Sequence, residues 1–166
     1  RSIPIGTSIR KHKKINTTKI VYEKIPRKCL LQVKPIMSDE FHNAMGPVKD
    51  VTPEIQKLSE NPEVIFSAID ALYRKHNEHK VHCFTEDHRE KHIANWRVTK
   101  YAEEKVAYGI NYFLKVSIGE GFFLHMRVHR HPTQEKFHFY ALHEIIKHNI
   151  ATCVFTEDDP LTYFNH

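Results

Sequence analysis

Fourteen histidines and three cysteines in 166 residues are where chemistry would first be sought. His125, Arg127 and His129 alternate along one run, with His131 beyond, and alternate residues of an extended chain project from the same side, where two imidazoles could share a metal ion. Arg127 between them carries a fixed positive charge that repels a cation, so the spacing fits the polar outer face of an antiparallel sheet better. His76, His79, His82, His88 and His92 form a second group with Cys83, Glu86 and Asp87. These are zinc-type donors, but they lack the short paired spacings of a zinc finger. Cys29, Cys83 and Cys153 can each be drawn beside some histidine. With histidine so abundant that pairing carries no information, and no local signature supplies the base and oxyanion site that nucleophilic catalysis needs. The expectation is no enzymatic activity, no metal and no cofactor. Cys153, between Thr152 and Val154, reads as a small packed hydrophobe, and Cys83, in a polar segment, as the more reactive thiol.

The elements that would carry these residues follow from periodicity. Tyr108, Ile110, Tyr112, Leu114 and Val116 alternate with Asn111, Phe113, Lys115 and Ser117, which predicts a strand. Gly119-Glu120-Gly121 gives the backbone freedom for a tight reversal. Residues 122–131 then alternate again, with Leu124, Met126 and Val128 on an apolar face and His125, Arg127 and His129 on a wet one. Residues 96–101 are a third strand candidate, connected through residues 104–109, where Gly109 permits a bend or bulge. Tyr108, Tyr112, Phe113, Phe122 and Phe123 invite comparison with a base-stacking platform, but their alternation assigns them to sheet core and rim.

Thr52-Pro53-Glu54 is a helix start, with a threonine N-cap, proline at the first helical position and an acid near the positive helix end. Asn61-Pro62-Glu63 repeats it. Either a short helix begins at Pro53 and ends near Glu60, or the long helix begins at Pro62. Ile65, Ile69, Leu72, Tyr73 and His76 keep helical spacing, so the main core helix is expected over about 62–77. The histidine-rich residues 79–92 read as an exposed loop or helical extension. Residues 137–142 suit a further strand, and residues 152–155 offer another.

Hydrophobic residues make up 40% of the chain, enough for one core with appendages. No apolar run approaches the roughly 18 residues that span a bilayer, so no membrane association is expected. The formal net charge of +5 is spread along the chain without a nucleic-acid motif, which assigns it to a solvated basic surface and argues against a nucleic-acid partner. An odd number of widely spaced cysteines, with no Cys-Xaa-Xaa-Cys, fits a reducing compartment. Residues 1–36 are expected to be a basic extension. They contain the run Arg10-Lys11-His12-Lys13-Lys14 and short β-like stretches within residues 18–33 that Pro26 interrupts.

Four ordered blocks carry a family resemblance: VTPEIQKLSE at 51–60, VAYGINYFLKV at 106–116, GEGFFLHMRV at 119–128 and DDPLTYF at 158–164. Together they resemble a stefin, the type 1, intracellular branch of the cystatin superfamily. The resemblance implies a cystatin-like α+β domain over 37–166, an antiparallel sheet wrapped around one main helix, with insertions near 79–92 and 143–155. It also implies a cytoplasmic, monomeric thiol protease inhibitor whose partners are papain-like cysteine proteases of the cathepsin type. In that family an N-terminal glycine segment and two hairpin loops form a wedge that fills the protease cleft. Here the N-terminal segment corresponds to Met45 and Gly46. The first loop corresponds to Lys105, Val106, Ala107, Tyr108 and Gly109, with lysine at the family's glutamine position, or with Glu104 at that position if Tyr108 is an insertion. The second loop corresponds to His131 and Pro132. The rival expectation is a protein of the same fold without inhibitory activity, serving as a basic binding module.

Overall fold

The computed structural model describes residues 45–79 and 84–165. The expected basic extension, Cys29, His82 and Cys83 lie outside the described residues, as does the side chain of His79.

Both helix starts are used. Thr52 Oγ1 accepts from the Ile55 N–H at 3.3 Å and opens α1, Pro53–Ser59. The Asn61 side chain then accepts from the Glu63 N–H at 3.0 Å at the start of α2, Pro62–His79. Two prolines need not compete for one helix when each occupies a first turn, where its missing N–H has no intrahelical partner to lose. A third helix, α3 at Glu86–Ala94, occupies the stretch read as loop or extension.

Five strands follow one another across the main sheet, each antiparallel to its neighbour: β1 Lys49–Asp50, β2 Arg97–Val106, β3 Gly109–Gly119, β4 Phe122–Arg130 and β5 His138–Leu142. A separate ribbon joins β6, Ile145–Lys147, to β7, Ile150–Thr152, through His148 and Asn149, both left-handed with φ of 51° and 64°. The last strand, β8 at Val154–Phe155, pairs with β4 opposite Phe123 and Leu124. The residues read as an insertion at 143–155 therefore complete the fold. The architecture is α+β.

One face of the sheet packs on α2. Val64, Ile69 and Leu72 are fully buried with Leu114, Val116, Leu124, Met126 and Val128 in a single apolar core. Each such side chain contributes about 1.5–3 kcal/mol by leaving water.

The opposite face, read as wet, is covered. His143, Phe155 and residues 157–164 fold back over it, while Cys153 and Val154 join the α2 core, and Phe113, Ala102, Leu161 and Phe164 form a second buried cluster. His125 is fully buried, with its ring stacked on Phe155 at 3.9 Å and 9°. His143 stacks on Phe164 at 4.5 Å. Lys115 is buried, and its Nζ donates to the carbonyls of Glu157 and Asp159. Alternation correctly placed these residues on one side of β3 and β4. It could not reveal that the C-terminal chain would remove that side from water.

Candidate functional site at the paired turns

The first hairpin is tighter than its sequence suggested. β2 runs on to Val106, which pairs with Gly109, leaving Ala107 and Tyr108 as the turn. Gly109 has φ of 137°, and a Cβ there would lie 2.2 Å from the Arg130 carbonyl and 3.0 Å from the His129 ring. Its conformation is thus dictated from within the chain. Tyr108 at the tip is 78% exposed and Val106 37%.

At the same end of the sheet, β4 gives way to His131 and Pro132, both exposed. His131 Nδ1 lies 2.9 Å from Thr133 Oγ1, which shapes the connection to β5. Lys105, Val106, Ala107, Gly109 and Ile110 from the first hairpin line one concavity of about 470 Å³ with Arg130, His131 and Pro132. A second, of about 320 Å³, lies between Gly46, Pro47 and Lys49 on one side and Glu103 and Lys105 on the other. Lys105 borders both. The Gly46 N–H donates to the Glu103 carbonyl at 2.7 Å, attaching the entering chain to the edge of β2.

All nine sequence-predicted site residues therefore fall at this end, with one change of role. Met45 is half-buried and packs against the Phe113 and Phe164 cluster, so its side chain serves the outer core. Glu104, placed at the family's glutamine position in one alignment, is 8% exposed and points into the sheet's outer face.

Behind the turn lies a polar row that the sequence reading missed. Glu104, Asn111 and His129 are successive register partners on β2, β3 and β4, and His138 on β5 continues the row. Asn111 Nδ2 donates to Glu104 Oε2 at 2.8 Å. His129 Nδ1 lies 2.8 Å from Asn111 Oδ1, and Nε2 lies 3.1 Å from the Tyr108 carbonyl. Arg127 approaches Glu104 at 3.9 Å and covers the Tyr140 ring at 4.6 Å. Its neighbour on the other face of β4's end, Arg130, pairs with Glu54 of α1 at 3.0 Å. The signal was present in the alternation, which put Asn111 and His129 on the same side of strands joined by one tight turn.

The other candidate chemistries disperse. Burial pushes the Cys153 thiol up to about 12, which keeps it from acting as a thiolate near neutral pH. His92 is buried with Nδ1 3.3 Å from the Tyr73 hydroxyl and its pKa is lowered by burial. Among the described residues no three histidine, cysteine or acidic side chains converge as metal ligands. Of the proposed stacking rings, Tyr112, Phe113 and Phe123 are buried and only Tyr108 projects freely. No described helix is long and apolar enough to cross a membrane.

No protein-family model matches the chain, and no curated protein matches it.

Proposed function

We propose that the chain is a reversible protein inhibitor of papain-like cysteine proteases on a cystatin-like scaffold, its sheet wrapped around α2. The observation that carries this reading is the meeting, at one end of the sheet, of the three segments that the sequence resemblance assigns to a wedge: the chain at Gly46, the Ala107-Tyr108 turn and His131-Pro132. Such a device does no chemistry. It fills a cleft with turns whose order is supplied by the sheet, which reduces the entropy lost on binding. Tyr108 and Val106 would supply apolar contact, Pro132 a stiff second ridge, and Gly46 the third point. The resemblance extends the proposal to a cytoplasmic monomer.

A second reading, a non-inhibitory binding module, is favoured by one observation. Gly109 is explained by the Arg130 carbonyl and the His129 ring, so it is not independent support for a close-approaching enzyme. Titration of active papain with the purified full chain decides between the two. Lys105 and His131 replace an amide and an apolar contact of the family pattern, so inhibition is expected with a Kd on the order of micromolar. Absence of inhibition at about a hundredfold higher concentration would overturn the inhibitor reading and leave the binding module.

A further inference from the structure

Both ring nitrogens of His129 face groups that can only accept. Nε2 meets the backbone carbonyl of Tyr108 at 3.1 Å. Nδ1 meets the side-chain oxygen of Asn111 at 2.8 Å, and that amide cannot reverse, because its nitrogen is already donating to the Glu104 carboxylate at 2.8 Å. A neutral imidazole has one N–H and one lone pair, so it satisfies one of these contacts; the buried Asn111 oxygen keeps the N–H because water cannot replace it, the exposed Tyr108 carbonyl loses it, and an imidazolium satisfies both. Gly109 leaves room for the ring, since a Cβ there would come within 3.0 Å of it.

We propose that protonation of His129 clamps the Ala107-Tyr108 turn through the Tyr108 carbonyl, so that the tip of the hairpin is ordered at acidic pH and loosened as pH rises. Only the charged ring donates to both oxygens at once, and that ties the turn to the sheet. The charged and titratable groups on the same face include Glu104 on β2, Lys115 on β3, His125 and Arg127 on β4, and His138 and Tyr140 on β5. Glu104 favours the charged ring and Arg127 opposes it, while Arg127 is itself occupied by Glu104, Tyr140 and the uncharged Asn165. Glu104 acts as a positioning residue, since its carboxylate forces Asn111 to present oxygen. The clamp rests on these hydrogen bonds alone; its effect on a protease would rest on the reading above.

The test is a pH titration of the full chain, labelled with ¹⁵N and ¹³C, by NMR. The His129 ring nitrogens should both be protonated at the acidic end. The Tyr108 carbonyl and Gly109 amide resonances should move with the same midpoint as that ring, and protection of the turn amides should fall about tenfold above it, the ratio that one charge-assisted hydrogen bond supports. Resonances that stay flat while His129 titrates, or that follow the rings of His131 or His138, overturn the clamp. Glu104→Gln provides a second arm: the new amide can donate to Asn111 Oδ1, which lets Asn111 turn its NH₂ toward a neutral His129. The pH dependence of Tyr108 should then vanish, and its persistence would overturn the proposal. Papain titration at pH values on either side of the midpoint separates the two readings. A working clamp without inhibition removes the protease wedge only, and inhibition with a pH-indifferent turn removes the clamp only.

Discussion

Both faces of the sheet are covered around the centres of β3 and β4, by different means. Toward α2 the contacts are apolar, and any side chain of similar volume and hydrophobicity would serve nearly as well. Toward the C-terminal segment, burial is achieved with a lysine, two histidines and a small group of apolar residues. Lys115 is held by two carbonyls, and Lys147 pairs with Asp159 at 2.7 Å beside them. The inner face depends on quantity of burial and the outer face on particular partners. Buried polar groups are stabilising only while every bond is made, so the outer face should be the one that conditions can disturb.

The largest expected effect tests the inner face. Leu124→Ala removes a fully buried side chain from the α2 core and should cost about 3–4 kcal/mol, read by urea unfolding at neutral pH. A cost below about 1 kcal/mol would mean that this core is loosely packed and would erase the contrast. Acidification probes the outer face and should come next. Burial, the first cause, and then the Lys115 charge hold the His125 imidazole down at about 3, against its ordinary 6.5. Its folded pKa lies below its unfolded value, so the unfolded chain binds the extra proton and stability falls as pH drops from 6.5 toward 3. Between pH 7 and 4 that loss amounts to about 3 kcal/mol. Asp159, held down at about 2 by its bond to Lys147, adds a further loss only below its ordinary 3.8. In His125→Leu the stability difference between pH 7 and pH 4 should shrink by most of that amount, and an unchanged difference would show that other groups govern acid unfolding.

What the sequence made legible follows the same division. The strands β2 to β4, the reversal at Glu120 and the apolar stripe of α2 were all readable, because each is a local periodicity or a local turn requirement. The covering of the outer face was not, since alternation assigns side chains to sides and is silent about what lies over them. One hint existed: Phe155, Leu161, Tyr163 and Phe164 are too apolar for a free tail and needed somewhere to pack. At the paired turns the segments were legible from the resemblance, whereas Glu104, Asn111 and His129 were not. Their meaning depends on cross-strand register, and the sequence reading extended the first loop over residues that the structure pairs in β2 and β3.

Glycine substitutions carry the comparison to the two ends of the hairpins, with a smaller effect. Gly109→Ala forces a Cβ against the Arg130 carbonyl in a left-handed backbone region and should cost at least ~2 kcal/mol. Gly121→Ala, with φ of 76° but open space around its Cβ, should cost only about 1 kcal/mol. Equal costs in thermal or urea unfolding would mean that the His129 end is no more tightly constrained than the opposite turn. Because Gly109 carries this internal burden, no substitution there can isolate a protease contact.

Tyr108 can isolate it, and the expected effect on stability is the smallest of all. Its ring is 78% exposed at the tip of the turn, and the contact that matters for folding, its carbonyl to His129, survives truncation of the side chain. Tyr108→Ala should therefore leave the urea midpoint within about 0.5 kcal/mol of the parent. If the turn enters a cleft, the same change removes an aromatic anchor at the centre of the contact and should weaken inhibition by about tenfold or more. Glu120→Ala at the other end of the sheet serves as the control and should leave inhibition untouched. A folded Tyr108→Ala variant that inhibits as well as the parent would place the contact elsewhere, whereas parallel losses in both variants would point to a general change in the sheet rather than to an inserted turn.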